Sequence, residues 1–190
     1  MTEILPAEGV FSLLWVLIAL PAVGALILLL GGRRTNTWGP YLGILTVVGS
    51  AVIAIVMLLA MMAEPAEQRT VIQNVYDWVF VGSFQVSFAL QLDQLSIVFV
   101  LLITLVGSLI FIYSLGYMAH DPDRRKFFAY LNLFVAAMLL LVLANNYLLL
   151  YVGWEGVGLA SYLLIGFWQR KPTAAAAAKK AFVINRVADV

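Results

Sequence analysis

Five long apolar runs take up most of this sequence, at 10–30, 41–63, 94–115, 127–144 and 147–168. Each has about the 17–25 residues that an α-helix needs to cross the hydrocarbon of a bilayer. Inside lipid, every backbone N–H and C=O must be met within its own segment, so such runs predict helices. Charged residues make up only 11% of the chain, against about 25% in a soluble domain. The expected fold class is an all-α polytopic membrane protein, with five transmembrane helices, the start of a sixth and an outer-surface β-hairpin. The sixth helix is expected over 173–190. With Arg186 and Asp189 near its end it does not read as a finished span, so the chain is expected to be a piece of something longer. The residues before the first run include Glu3 and Glu8 and no Lys or Arg. That pattern predicts a retained helix rather than a cleaved signal peptide.

Lys and Arg in short loops set the expected orientation. Arg33 and Arg34 follow the first run; Arg124, Arg125 and Lys126 lie between the third and fourth. Arg170, Lys171, Lys179 and Lys180 follow the fifth, and the opposite side has only Arg69. The three basic connections are therefore expected in the cytoplasm and the N-terminus outside. In the outer loop, Phe84, Val86, Phe88, Leu90 and Leu92 alternate with Gln85, Ser87, Ala89 and Gln91, which is the period of a strand. Val75 to Val81 is rich in β-branched and aromatic residues, and Gly82-Ser83 suits a tight type II′ turn. A hairpin is expected over 75–92. An isolated hairpin is marginal in water, so it should rest on the helix ends or on a neighbouring subunit.

The chain has no cysteine and one histidine, His120. Disulfides, thiolate-held iron–sulfur clusters and multi-histidine metal or haem sites are not expected within it. No glycine-rich phosphate loop of standard spacing is present. Any redox cofactor is expected on other chains, with no metal held here.

The feature that invites chemistry is Glu155, near the middle of the fifth run. A charge at that depth costs roughly 2.5–3.5 kcal/mol on insertion scales, and such residues usually face a bundle interior with a partner. Tyr151, Gly158, Leu159 and Tyr162 share its helix face. The two tyrosines offer hydroxyls, and Gly158 offers room for a backbone or a water. The short link to the sixth helix makes the two helices antiparallel neighbours. Arg186 and Asp189, three residues apart and able to pair with each other, then reach the depth of Glu155. Lys179 shares the side of Arg186, and Lys180 lies well round from it. Burial disfavours a charged carboxylate and a nearby cation favours it. Movement of that cation would switch the site between holding and releasing a proton. A purely structural salt bridge that fixes helix packing is the competing reading. Lys179 and Lys180 also read as interfacial anchors, His120 as a solvated loop residue, Asp93 as an N-cap, and the glycines of the fifth run as packing residues.

The run W-E-G-V-G-x-x-S-Y-L-L-I-G-F-W, from Trp154 to Trp168, resembles the signature of the subunit L family. These are the large antiporter-like subunits of bacterial proton-pumping NADH:quinone oxidoreductase, respiratory complex I. K-A-F-V-x-x-R-V-x-D-V, from Lys180 to Val190, resembles the next helix of the same family, and FQVSFALQLDQLS and FFAYLNLF are also similar to it. The resemblance implies that 1–190 is the N-terminal part, about a third, of an antiporter-like membrane domain in a bacterial inner (plasma) membrane. It implies that Glu155 is the glutamate of a proton path, with Lys180, Arg186 and Asp189 near it, and that the site is incomplete in this stretch. The implied partners are the other membrane-arm subunits and the lipid bilayer, with no nucleic acid. The implied complex uses NADH, FMN, iron–sulfur clusters and quinone on other subunits, and this chain has no redox centre of its own. Three alternatives stand beside this one. They are a subunit of a multisubunit cation/proton antiporter, a quinone oxidoreductase with another electron donor, and a structural membrane scaffold.

Overall fold

The structure, a computed structural model, describes residues 4–82 and 84–189. Five helices are long and apolar enough to cross a membrane: α1 (Gly9–Leu30), α2 (Gly39–Ala63), α3 (Gln94–Tyr117), α4 (Arg124–Leu143) and α5 (Tyr147–Ile165). A sixth, α6 (Pro172–Ala188), follows, and β1 (Ile4–Pro6), β2 (Thr70–Val81) and β3 (Phe84–Leu92) form a small sheet. The chain is thus an all-α multi-pass membrane protein with a sheet outside the helical bundle.

Local chemistry sets the helix ends. Pro40 and Pro172 stand in the first turns of α2 and α6, where the missing N–H costs nothing. Asp93 caps α3. Its carboxylate accepts from the backbone N–H of Leu95 at 3.0 Å and of Ser96 at 2.7 Å, and Ser96 Oγ accepts from the Asp93 N–H. Asn146 caps α5 by accepting from the Leu149 N–H. Within α3 the segment Leu102–Val106 widens into a π-helical turn, and the buried Thr104 hydroxyl donates to the Val100 carbonyl. The fifth helix stops at Ile165, three residues before the expected 168, because the chain turns at Gly166 towards α6.

α1 packs against α2 and α4. α3 leans on α2, α5 on α4, and α6 on the outer side of α5. The shared core contains Leu14, Leu17 and Leu28 of α1, Val47 and Met57 of α2, and Phe128 and Leu139 of α4. Buried polar groups at this junction bond to one another. Thr46 Oγ1 donates to Asn132 Oδ1 at 2.8 Å, Asn132 Nδ2 donates to the Phe128 carbonyl, and Ser50 Oγ donates to the Leu17 carbonyl. Gly24 makes room for this contact, since a Cβ there would stand 2.9 Å from Thr46 Oγ1. Around the core, Leu26, Leu45, Leu59 and Leu109 are exposed, as a lipid-facing surface requires.

The hairpin is present and longer than expected. β2 pairs antiparallel with β3 from Val71 opposite Leu92 to Val81 opposite Phe84, and it begins at Thr70 rather than at Val75. Gly82 has φ +58°, as a primed turn needs; Ser83, the other expected turn residue, lies outside the described residues. β1 adds a third, parallel strand with Ile4 opposite Thr70. The sheet rests on the helix ends. Gln73 accepts from the Trp15 N–H at 2.9 Å and donates to the Ser12 carbonyl, while Asn146 donates to the Ser87 carbonyl at 2.9 Å. At the opposite end of the bundle the basic connections meet. Arg124 donates to the Asn36 carbonyl, Arg125 to the carbonyls of Leu28 and Leu29, and Trp168 to Asp121.

Candidate functional site

α5 is pressed onto α4 at Gly153, where a Cβ would lie 2.6 Å from the backbone nitrogen of Leu141 and 2.7 Å from its Cα. Backbone contact this close sets the face of α5 that meets α4, and Trp154 and Glu155 both reach α6. Glu155 forms an ion pair with Arg186 of α6. Its side chain is 18% exposed and that of Arg186 39%, so the cation reaches in from a more open position. Both Glu155 oxygens are buried, and no hydroxyl or amide among the described residues donates to them; the charge is met by Arg186. The guanidinium also lies 4.7 Å from the ring centroid of Phe182, whose ring stands 5.1 Å from that of Tyr162. This aromatic face attracts the cation and fixes the direction from which it approaches Glu155.

Arg186 and Asp189 do not pair with each other, although they lie one turn apart. Arg186 goes to Glu155, and Asp189 accepts a hydrogen bond of 2.9 Å from Trp154 Nε1. The expected hydroxyls of Tyr151 and Tyr162 do not bond Glu155 either; Tyr162 uses its ring against Phe182. Gly158 has open space beside it and not another backbone. It faces a groove lined by Trp154, Ser161, Asn185 and Asp189 among others. Lys180 is exposed on α6 and joins no ion pair among the described residues, so it stands apart from Glu155, Arg186 and Asp189. Lys179 lines a separate groove with Tyr162 and Gln169. Val190, the end of the expected sixth helix, lies outside the described residues. Trp154 is the site residue that reasoning from sequence passed over. The available signal was an indole N–H in an apolar span, a donor that usually finds a partner when its ring is buried.

Among the described residues no three His, Cys, Asp or Glu side chains gather in a metal-binding group. The site consists of one carboxylate, one permanently charged guanidinium and a second carboxylate held by an indole.

Two family descriptions match the chain. Residues 78–128 match the N-terminus of chain 5 of NADH-ubiquinone oxidoreductase (complex I), and residues 144–190 match the transmembrane region of NADH:quinone oxidoreductase/Mrp antiporter subunits. The chain is 62% identical to NADH-quinone oxidoreductase subunit L of Mycobacterium tuberculosis over 92% of its own length and 28% of that relative's. It is 44% identical to F(420)H(2) dehydrogenase subunit L of Methanosarcina mazei over 90% of its length and 24% of that relative's. Among solved structures, the Mrp complex from Dietzia sp. DQ12-45-1b contains a chain similar in fold, with a TM-score of 0.71 at 23% identity, covering 93% of this chain and 18% of that one. The chain therefore spans about a quarter of the length of these curated relatives, somewhat less than the third expected from its sequence.

Proposed function

The chain belongs to the family of antiporter-like membrane subunits of NADH:quinone oxidoreductase and resembles the N-terminal part of subunit L, and on that premise we propose that it is the proton-translocating part of such a subunit. Its partners are the other membrane-arm subunits of a complex I enzyme and the surrounding lipid. Quinone reduction elsewhere in that complex drives proton movement through Glu155. The complex lies in a bacterial inner membrane, with the N-terminus outside and the basic connections in the cytoplasm. NADH, FMN, iron–sulfur clusters and quinone are held on other subunits. The observation that carries the reading is the Glu155–Arg186 pair, a buried carboxylate whose charge is met by one cation from a neighbouring helix. A shift of α6 that withdraws Arg186 changes how strongly Glu155 holds a proton. Lys180 enters this reading by resemblance alone.

Glu155→Gln in the full-length subunit tests it. Proton transport into membrane vesicles is expected to fall, while the complex still assembles on native gels. Unchanged transport removes Glu155 from the path. Loss of assembly favours the scaffold reading instead.

One observation favours a second reading. The fold is shared with a chain of an Mrp complex, and a buried carboxylate with one cation suits an antiporter equally well. Purification of the full-length protein from native membranes separates the two. Co-purifying flavin and iron–sulfur subunits support the oxidoreductase, and small membrane subunits alone support the antiporter.

A further inference from the structure

We propose that Trp154 is a positioning residue of this site. Its indole N–H occupies Asp189 and so leaves Arg186 free to serve Glu155. This inference rests on the proposed role of Glu155 in proton movement.

Trp154 and Glu155 are neighbours on α5, and Asp189 and Arg186 are one turn apart on α6. The two links, Trp154 Nε1 to Asp189 Oδ1 at 2.9 Å and Glu155 to Arg186, therefore join the same two helices side by side. An arginine and an aspartate three apart on a helix ordinarily attract each other. Here that attraction is not realised, because each has a partner on α5. The Asp189 backbone N–H also bonds the Asn185 carbonyl, in the hydrogen-bond pattern of α6. Its side chain thus starts from a fixed point and turns to one of two groups, the indole of Trp154 or the guanidinium of Arg186. Arg186 has a matching choice. Its stacking on Phe182 holds it on the Glu155 side.

Without the indole N–H, no other side chain among the described residues donates to Asp189, and at membrane depth a carboxylate without a donor is costly. Arg186 is the cation within reach along its own helix. Asp189 then draws Arg186 away, and Glu155 loses its counter-charge. A hydrogen bond to a charged group is strong enough to shift the choice between two partners by about tenfold. The close seating of α5 on Leu141 at Gly153 disfavours rotation of the helix and helps keep the indole aimed.

The test uses the full-length subunit in its intact complex, with proton transport in vesicles and assembly on native gels as readouts. Trp154→Phe removes the N–H. Replacement of Trp154 by benzothienylalanine removes it while keeping the shape of the bicyclic ring, which guards against a mere packing defect. Both are expected to assemble normally and to lower proton transport several-fold. The decisive comparison is with Asp189→Asn. If Trp154 acts through the Asp189 charge, the Trp154→Phe/Asp189→Asn double variant is no worse than Asp189→Asn alone. Losses that add, or full transport with benzothienylalanine at 154, overturn the inference. Glu155→Gln measured in parallel keeps the two ideas apart. If it lowers transport while the Trp154 variants do not, the positioning role fails and the proton path stands. If Glu155→Gln itself transports normally, the underlying reading fails.

Discussion

Where α1, α2 and α4 meet, Thr46, Ser50 and Asn132 are buried and bond to each other's helices without a net charge. Where α5 meets α6, Glu155, Arg186 and Asp189 carry full charges, and Ala178 is the buried residue that α6 contributes. The first junction is closed by packing, and its polar groups complete a neutral network. The second is held by an ion pair, an indole hydrogen bond and one aromatic contact between Tyr162 and Phe182, with little apolar burial. Helix contacts in one bundle can therefore be of two kinds. One resists any displacement, because every shift opens a gap in a dense interior. The other can change partners without emptying a core.

The sharpest way to break this contrast is to remove one charge from the second junction. Arg186→Leu leaves Glu155 buried and unpaired, which costs about 3 kcal/mol, the lower end for a buried pair because the arginine is partly exposed. The full-length subunit should lose that stability in a detergent-based denaturation series and recover most of it in the Glu155→Gln/Arg186→Leu double variant. An unchanged midpoint for Arg186→Leu alone contradicts the pairing. A smaller effect is expected at the first junction. Thr46→Val removes the donor to Asn132 and should cost about 1 kcal/mol, in line with hydrogen bonds between membrane helices. It should also leave proton transport intact, since the neutral junction does not exchange partners. Reduced transport with an unchanged melting point merges the two regions and sinks the distinction.

The smallest effect is expected outside both junctions. Burial pushes the Asp93 carboxyl up, but hydrogen bonds from Ser96, Gln91 and Leu95 together hold it below the usual aspartate value of 3.8. A carboxyl held low in the folded state stabilises above that value and loses its contribution as the pH falls through its folded pKa. Asp93→Ala should therefore cost about 0.5 kcal/mol near neutral pH, and the gap to the parent should close as the pH drops below about 4. A gap that stays constant down to pH 2 rules out the charged cap.

Much of this arrangement is legible in the sequence, because lipid allows a chain few choices. Runs of about twenty apolar residues become helices, basic loops gather at one end, and alternation from Phe84 to Leu92 becomes β3. The proximity of Glu155 and Arg186 also follows from their equal distance from a short connection. Other features depend on who competes for whom. Arg186 and Asp189 look like a pair when read along one helix, and only the opposing face of α5 offers each a better partner. β1 is three residues long and pairs with a strand more than sixty positions away, so no local pattern announces it. β2 begins early because Thr70 to Asn74 find partners on β3, and its bulges near Val75 and Trp78 blur the two-residue period there. The π-helical turn in α3 has no signature in composition.

The three-stranded sheet has one more consequence, and it concerns counting. Ile4 can lie beside Thr70 only if an even number of membrane crossings separates them, and α1 and α2 supply two. The bridge between Leu90 and Ala144 imposes the same condition on α3 and α4. The hydrogen bond from Arg124 to Asn36 imposes it, from the other face, on α2 and α3. If any one of these helices failed to cross, two partners would stand on opposite sides of about 30 Å of hydrocarbon. These contacts act as a parity check on insertion: they cannot all close if any one of the four spans before Ala144 fails to cross while the others do.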